Sequence, residues 1–355
     1  MYKSFFSLLF LTTSALAQTH LYQITKLPVL PNQSFTFPLA INASGTVVGY
    51  SGSHAFSYAS CHINDIGLLP GGASAAATAI NNDGSIAGYA VGSDKATHAV
   101  SWHDGSIHLL EPGTVYRSEA LAINGPGKVA GYQFNGQVAY ATAFVDDLPV
   151  VVPSDDDPVY SWAAVEVVTG INSSNQLTGY RPIYNNLNQF IAMIGLVTPA
   201  GSTSWTRVTP PTGYGPYVYP WAINEGGAVA GWSFNNGTIP RAFLSTNPAS
   251  AARNLGTLGG TSSQAFGLNN ARWVVGTSTT ATGTSAAFLF DGTTMINLNT
   301  TLVGGAGWVL TEATAINDYN QIVGYGYYNG TFGGFLLTPV TSRIVYTPLC
   351  SVLVP

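Results

Sequence analysis

Ala315-Ile316-Asn317-Asp318-Tyr319-Asn320-Gln321-Ile322-Val323-Gly324-Tyr325 is the clearest copy of a unit that recurs along the chain. Earlier copies begin at Asn42, Asn81, Asn124, Asn172, Asn224 and Asn269, at spacings of 39, 43, 48, 52 and 45 residues, with 48 more to Asn317. Each Asn follows Ile or Leu, and each is followed seven residues later by a Gly: Gly49, Gly88, Gly131, Gly179, Gly231, Gly276 and Gly324. The next residue is Tyr, except for Trp232 and Thr277. A period of this length is the mark of a repeat architecture.

One unit reads as a β-hairpin. Small and apolar residues alternate into the Asn, as a strand requires. Three residues after the Asn stands Gly or Asn, residues that accept φ > 0, with Arg272 the exception. A β-branched run returns as the second strand, and the closing Gly allows a bend or a close backbone approach. A third strand is expected at His54-Ala55-Phe56 and its equivalents. A fourth is expected at Ile66–Leu69, Ile107–Leu110, Asn254–Leu258 and Ile296–Asn299. Four short strands per unit is the size of a propeller blade. The sequence thus predicts an all-β fold, a single seven-bladed β-propeller over residues 18–340, with an N-terminal strand in 20–38 completing the last blade. The tail 341–355 is expected at the same seam.

Composition narrows the function. Only 8% of residues are charged and the net charge is −5, with no basic stripe, so nucleic acid is not an expected partner. No glycine-rich phosphate loop precedes a helix. Residues 1–17 read as a secretory signal with Lys3, an apolar run from Phe5 to Leu11 and a cleavage site after Ala17. That run is too short to span a membrane. Sequons stand at Asn32, Asn42, Asn172, Asn236, Asn299 and Asn329; those at Asn42 and Asn172 fall in the repeat turn. Cys61 and Cys350 are the only cysteines, and an oxidising compartment makes them a disulfide candidate. The bridge would close a loop of nearly 290 residues, worth roughly 4–5 kcal/mol in the chain-entropy model.

The tripeptide His54-Ala55-Phe56 and the run Leu255-Gly256-Thr257-Leu258-Gly259-Gly260-Thr261-Ser262-Ser263-Gln264-Ala265, followed by Gly267-Leu268-Asn269, resemble the HAF-type extracellular repeat. The resemblance covers essentially the whole chain after the signal. It departs where Leu148–Val152 and Thr206–Pro210 replace the Leu-Gly-Thr-Leu-Gly-Gly run. It implies a propeller and export, not a chemistry. In size, leader and apolar texture the chain is also similar to the hetero-Diels–Alderases of fungal tropolone–sesquiterpenoid pathways, although no catalytic motif carries over.

The residues offer few conventional sites. The six histidines form no H-x-H or H-x-x-x-H pattern, and Asp155-Asp156-Asp157 reads as a solvated loop, so no metal and no cofactor is expected. No nucleophile elbow is present. Five residues before the repeat Asn stand Phe37, Ala76, Glu119, Val167, Tyr219, Gln264 and Glu312. If the first strand is innermost, this row lies near one mouth of a central channel, with Glu119 and Glu312 three blades apart. The loops on that face hold Trp162, Tyr184, Tyr217, Trp221, Trp308, Tyr327 and Phe332, which with Gln264 are the expected ligand-binding residues. Tyr116, Arg117, Tyr219 and Trp221 are the candidate hydrogen-bond donors. Three functions fit: a cyclase of apolar polyenes that works by positioning and water exclusion, a carbohydrate-binding propeller, and a glycan-cleaving enzyme using Glu119 and Glu312. The expected partner is a small apolar molecule or a glycan.

Overall fold

The computed structural model describes residues 20–111, 117–134, 136, 139–145, 148–151, 167–184, 189–199, 201, 204–235 and 238–340. Tyr116, Trp162, Asn236 and Cys350, the acidic run 155–157, the signal and the tail lie outside them. The described chain is all strand and turn, with one 3-10 turn at Leu298–Thr300.

The repeat Asn does two jobs in every unit. Its Oδ1 accepts the backbone N–H four residues on, at 2.8–2.9 Å, which fixes the hairpin turn. Its Nδ2 donates to the carbonyl of the next repeat Asn: Asn42 to Asn81, Asn81 to Asn124, Asn124 to Asn172, Asn172 to Asn224, Asn224 to Asn269 and Asn269 to Asn317, at 3.1–3.3 Å. Asn317 donates to the carbonyl of Asn42 at 2.9 Å, so the chain of bonds returns to its start. All seven residues are buried, with both ends of the amide used. The turn residues Gly45, Gly84, Gly127, Asn175, Gly227, Arg272 and Asn320 all take the left-handed conformation, φ 59° to 89°. Arg272 adopts it despite its side chain, because the Asn269 clamp fixes the turn around it.

The repeat Gly has an equally local cause. Each inner strand carries a β-bulge at the same place, two to four residues before the Asn. The bulge brings a carbonyl against the facing strand. A Cβ on the repeat Gly would stand 1.9–2.1 Å from that carbonyl oxygen in every unit, for example Gly131 against Glu119.

The inner strands are Thr36–Ile41, Ser74–Ile80, Arg117–Ile123, Val167–Ile171, Pro216–Ile223, Gly259–Leu268 and Trp308–Ile316, and each begins an antiparallel group. In the last group Trp308–Ile316, Ile322–Tyr328 and Thr331–Pro339 are completed by Tyr22–Lys26, which pairs antiparallel with Thr331–Pro339, Tyr22 opposite Pro339. Apolar cores lie between neighbouring groups. Phe56, Phe243, Phe288 and Phe335, on third strands, are fully buried, each worth about 1.5–3 kcal/mol. One core joins Leu27, Val47 and Phe56 to Val323 and Leu336.

The fourth strands differ from the sequence expectation. They run earlier: His62–Asp65 instead of 66–69, Arg253–Asn254 instead of 254–258, Met295–Asn297 instead of 296–299. The Leu-rich runs are connectors. Leu69, Leu110, Leu255 and Leu298 drop into the cores, and Gly67 and Gly256 turn the backbone at positive φ. The sequons at Asn42 and Asn172 are corrected too, because their Nδ2 atoms are buried in the clamps and cannot take a sugar. Asn299 is likewise engaged, its amide bonded to Asn297 and to Leu310. Asn32 and Asn329 stand exposed.

N224A should lower stability by about 1–3 kcal/mol, the cost of leaving buried partners unpaired. N224D keeps the acceptor and loses the donor, so its carboxylate faces the Asn269 carbonyl. Burial raises such a carboxyl, and the protonated form can still donate. N224D should therefore approach wild-type stability near pH 4 and lose it as pH rises, as denaturant titrations at the two pH values would read out.

Candidate functional site

Roughly 16 Å back along each inner strand from the Asn ring lies a second set of side chains. The residue five before each Asn faces, across the hairpin, the residue that follows the repeat Gly. The pairs are Phe37–Tyr50, Ala76–Tyr89, Glu119–Tyr132, Val167–Tyr180, Tyr219–Trp232, Gln264–Thr277 and Glu312–Tyr325. These pairs touch from group to group. Tyr180 meets Tyr219 at 5.3 Å, Trp232 meets Phe266 at 5.5 Å, and Phe37 meets Tyr325 at 4.3 Å between ring centroids. Thr277 Oγ1 donates to the carbonyl of Thr311. Tyr89 feels the charge of Glu119 and the neighbouring Tyr50.

Two aromatic walls result. One gathers Phe35, Phe37, Tyr50, Tyr325, Tyr327 and Phe332, with Phe37 stacked on Tyr50 at 5.1 Å and on Phe332 at 6.1 Å. The other gathers Tyr180, Tyr219, Trp221, Trp232, Phe234 and Phe266. Burial pushes the phenols of Tyr50, Tyr89, Tyr132, Tyr180, Tyr219 and Tyr325 above their ordinary range, so all stay neutral donors.

The two acids differ sharply. Glu312 belongs to the first wall and has the Tyr325 hydroxyl as its hydrogen-bond partner; desolvation pushes its carboxyl up to about 7. Glu119 is ion-paired with Arg117, whose Nε donates to Oε1 at 3.0 Å and whose Nη2 also binds that oxygen, and it is also bonded to Tyr132. One acid thus sits at the edge of protonation near neutral pH. The other is held by a cation.

The structure divides the expected site residues. It brings together Tyr219 with Trp221, Glu312 with Tyr327 and Phe332, and Arg117 with Glu119. Gln264 belongs to the same row, opposite Thr277. Tyr184 and Tyr217 are bridged by Phe190, and Tyr217 acts electrostatically on Tyr219. Trp308, half-buried, packs on Tyr328 and Phe335 and against a core. Glu119 and Glu312 stand on strands, half-buried. Sequence reading missed Phe35, Tyr50, Tyr89, Tyr132, Tyr180, Trp232 and Tyr325 as members of this aromatic end. The signal was present, since the residue after each repeat Gly must pair with the row already singled out.

A hollow of about 260 Å³ opens at the other end, among the repeat Asn residues other than Asn172, the Ile or Leu before each Asn, and Asn82, Ser173, Glu225, Asn270 and Asp318. The sequence expectation placed the pocket at the aromatic end. Here the lining is polar, and its side chains bond one another: Glu225 accepts from Ser173, and Asp318 from Asn270. Among the described residues no group of three or more acids, histidines or cysteines could hold a metal, and no helix is long and apolar enough to cross a membrane.

No protein-family model matches the chain, and no curated protein matches it in sequence. Among solved structures it is similar to the extracellular domain of BT4673 from B. thetaiotaomicron, with a TM-score of 0.51 and 9% identity; the match covers 90% of this chain and 40% of that one. It is more distantly similar to YCF48 bound to a D1 peptide, with a TM-score of 0.48, 13% identity and 92% and 97% of the two chains covered. Trypanosoma rangeli sialidase in complex with sialic acid gives 0.43 and 11% identity, over 89% and 58%. At these identities the likeness speaks to the fold, which is of the β-propeller type.

Glu312 gives the site a pH signature. Its folded pKa is raised, so the neutral carboxyl's contribution is complete below the ordinary carboxylate range and is lost as pH rises through about 7. E312Q should match the wild type near pH 4 and exceed it by about 1–3 kcal/mol near pH 8, measured as the difference in thermal midpoint at the two pH values.

Proposed function

We propose that the strand groups are the seven blades of one β-propeller, residues 18–340, closed by Tyr22–Lys26 in the last blade. Residues 1–17 are its cleaved secretory signal. The tail 341–355 is held at the closing seam by a disulfide from Cys350 to Cys61, a residue in the left-handed turn after His54–Ala59. The Asn317–Asn42 bond and the core shared by first and last groups support the closure. The protein is exported, and the exposed Asn32 and Asn329 are the sequons fit to carry sugar.

At the aromatic end we read a pericyclase: a hetero-Diels–Alderase joining a reactive o-quinone methide of tropolone type to a sesquiterpene alkene such as a humulene alcohol. The observation that carries this is the Glu312–Tyr325 pair, a near-neutral donor set in a wall of stacked aromatic rings. The cycloaddition forms its new σ bonds from π electrons and transfers no proton. The protein then needs to align two flat apolar partners, keep water off the methide, and place a donor on the developing oxygen charge. Tyr325, Tyr50 and protonated Glu312 are donors of that kind. Purified protein should accelerate this cyclisation and fix its stereochemistry, and F37A with Y325F should lose most of the acceleration while staying folded. Equal rates and product ratios with and without protein would reject the reading.

A second reading is carbohydrate processing, because Glu312 is protonatable near neutrality beside an aromatic wall, whereas Glu119 is an ion-paired carboxylate. Those are the properties of a glycosidase acid and its partner, and exposed Trp221 beside Trp232 offers a sugar-stacking face. Here E312Q and E119Q would each abolish release of a reporter phenol from aryl glycosides by 10²-fold or more. Retained binding on a glycan array without cleavage would indicate a lectin.

A further inference from the structure

Away from both ends of the channel, one cluster of titratable groups has no part in the proposed chemistry. His98, on Thr97–His103, is buried, and each of its ring nitrogens faces a carboxylate. Nε2 lies 3.0 and 3.1 Å from the two oxygens of Asp94, and Nδ1 lies 3.3 Å from Oε1 of Glu111. Glu111 is 3% exposed. It also accepts from Ser118 Oγ, and from Gln133 Nε2 at 3.0 Å. Ser118 Oγ in turn accepts the N–H of Ala99 at 2.7 Å. The cluster therefore spans the seam between the second and third strand groups. Gly92 makes the room, since a Cβ there would stand 2.8 Å from Asp94 Oδ1.

The same position in other groups shows what is unusual. Ser263 also accepts from the third strand of the preceding group, through Ala242, but it donates to a backbone carbonyl, that of Gly256. In the second seam that fixed acceptor is replaced by Glu111, a group that can lose its partner. A neutral imidazole carries one N–H and one lone pair. Burial pushes the Glu111 carboxyl up, while Ser118, His98 and Gln133 pull it down; where both carboxylates are ionised, the neutral ring can satisfy only one, and its lone pair then faces the other. The doubly protonated ring satisfies both.

We propose that His98, clamped between Asp94 and Glu111, is a proton-operated latch on this seam: with both nitrogens protonated it ties both carboxylates, and on losing one proton it releases one of them. Asp94 and Glu111 are the charged groups that face the ring; Ser118 and Gln133 are its uncharged neighbours. The Arg117–Glu119 pair is bound to itself. Ser118 lies between Arg117 and Glu119 in sequence and Gln133 follows Tyr132, so the latch holds the strands that carry one corner of the channel. It does not depend on what binds there.

The test follows the His98 ring nitrogens by long-range ¹H–¹⁵N correlation from about pH 5 to about pH 9, with amide exchange of Ala99 and Leu110 corrected for intrinsic rates. Leu110 donates to the Ala99 carbonyl across the same edge. Both amides should lose about tenfold or more of their protection as the ring loses its second proton. D94N, at an exposed position, and E111Q each offer an amide N–H to the freed lone pair, so the step should vanish in both. Protection that stays level through the His98 titration would overturn the proposal. So would a step of wild-type size in D94N and E111Q.

Discussion

Everything in this fold leans on one planar amide per unit, used at both ends. The Asn carbonyl oxygen closes its own hairpin and its NH₂ grips the next hairpin's backbone. Asp has the acceptor without the donor, and Gln puts the amide one carbon too far out to do both. Because each clamp lands on the residue that makes the following one, an error at one Asn displaces the acceptor of its predecessor. The bonds are individually modest. Their geometry is mutually conditional, and losses at neighbouring positions should not add.

The same constraint leaves the aromatic end chemically free. The clamp, the bulge and the obligatory Gly are all satisfied by backbone and by two residue types, so the residue five before each Asn, which faces the one after the Gly, can vary without disturbing the strand. That freedom appears as Phe37, Ala76, Glu119, Val167, Tyr219, Gln264 and Glu312 at equivalent points. A near-symmetric scaffold thus carries an asymmetric lining: stacked rings on two sides, a desolvated acid on one, and an ion-paired acid on another. A surface repeating one contact would keep these positions alike.

Much of this was legible in the sequence, because the clamp leaves a fixed signature. The Asn, the turn residue three on and the Gly seven on mark each hairpin, and even Arg272, which broke the pattern, adopts the expected conformation. Fourth strands were less legible. Ile66-Gly67-Leu68-Leu69 reads like a strand, yet Leu69 anchors a connector in the core, and only the three-dimensional neighbours decide which. The site was half legible. Glu119 and Glu312 could be placed by counting from the Asn, but their opposite characters depend on Arg117 and on the rings around Phe37. Trp308, expected near the mouth, also packs against a core, which counting from the Asn does not show.

The pairing of Tyr22–Lys26 with Thr331–Pro339 sets an order of events. The ribosome makes the first of these strands long before the second, so the earliest described strand must wait more than three hundred further residues for this partner. Contacts this distant in sequence are slow to form, and an unpaired edge is a template for wrong partners. A chain that cannot finish this sheet until so distant a strand emerges is most vulnerable while it is being made, and quality control acting during that interval would decide its yield.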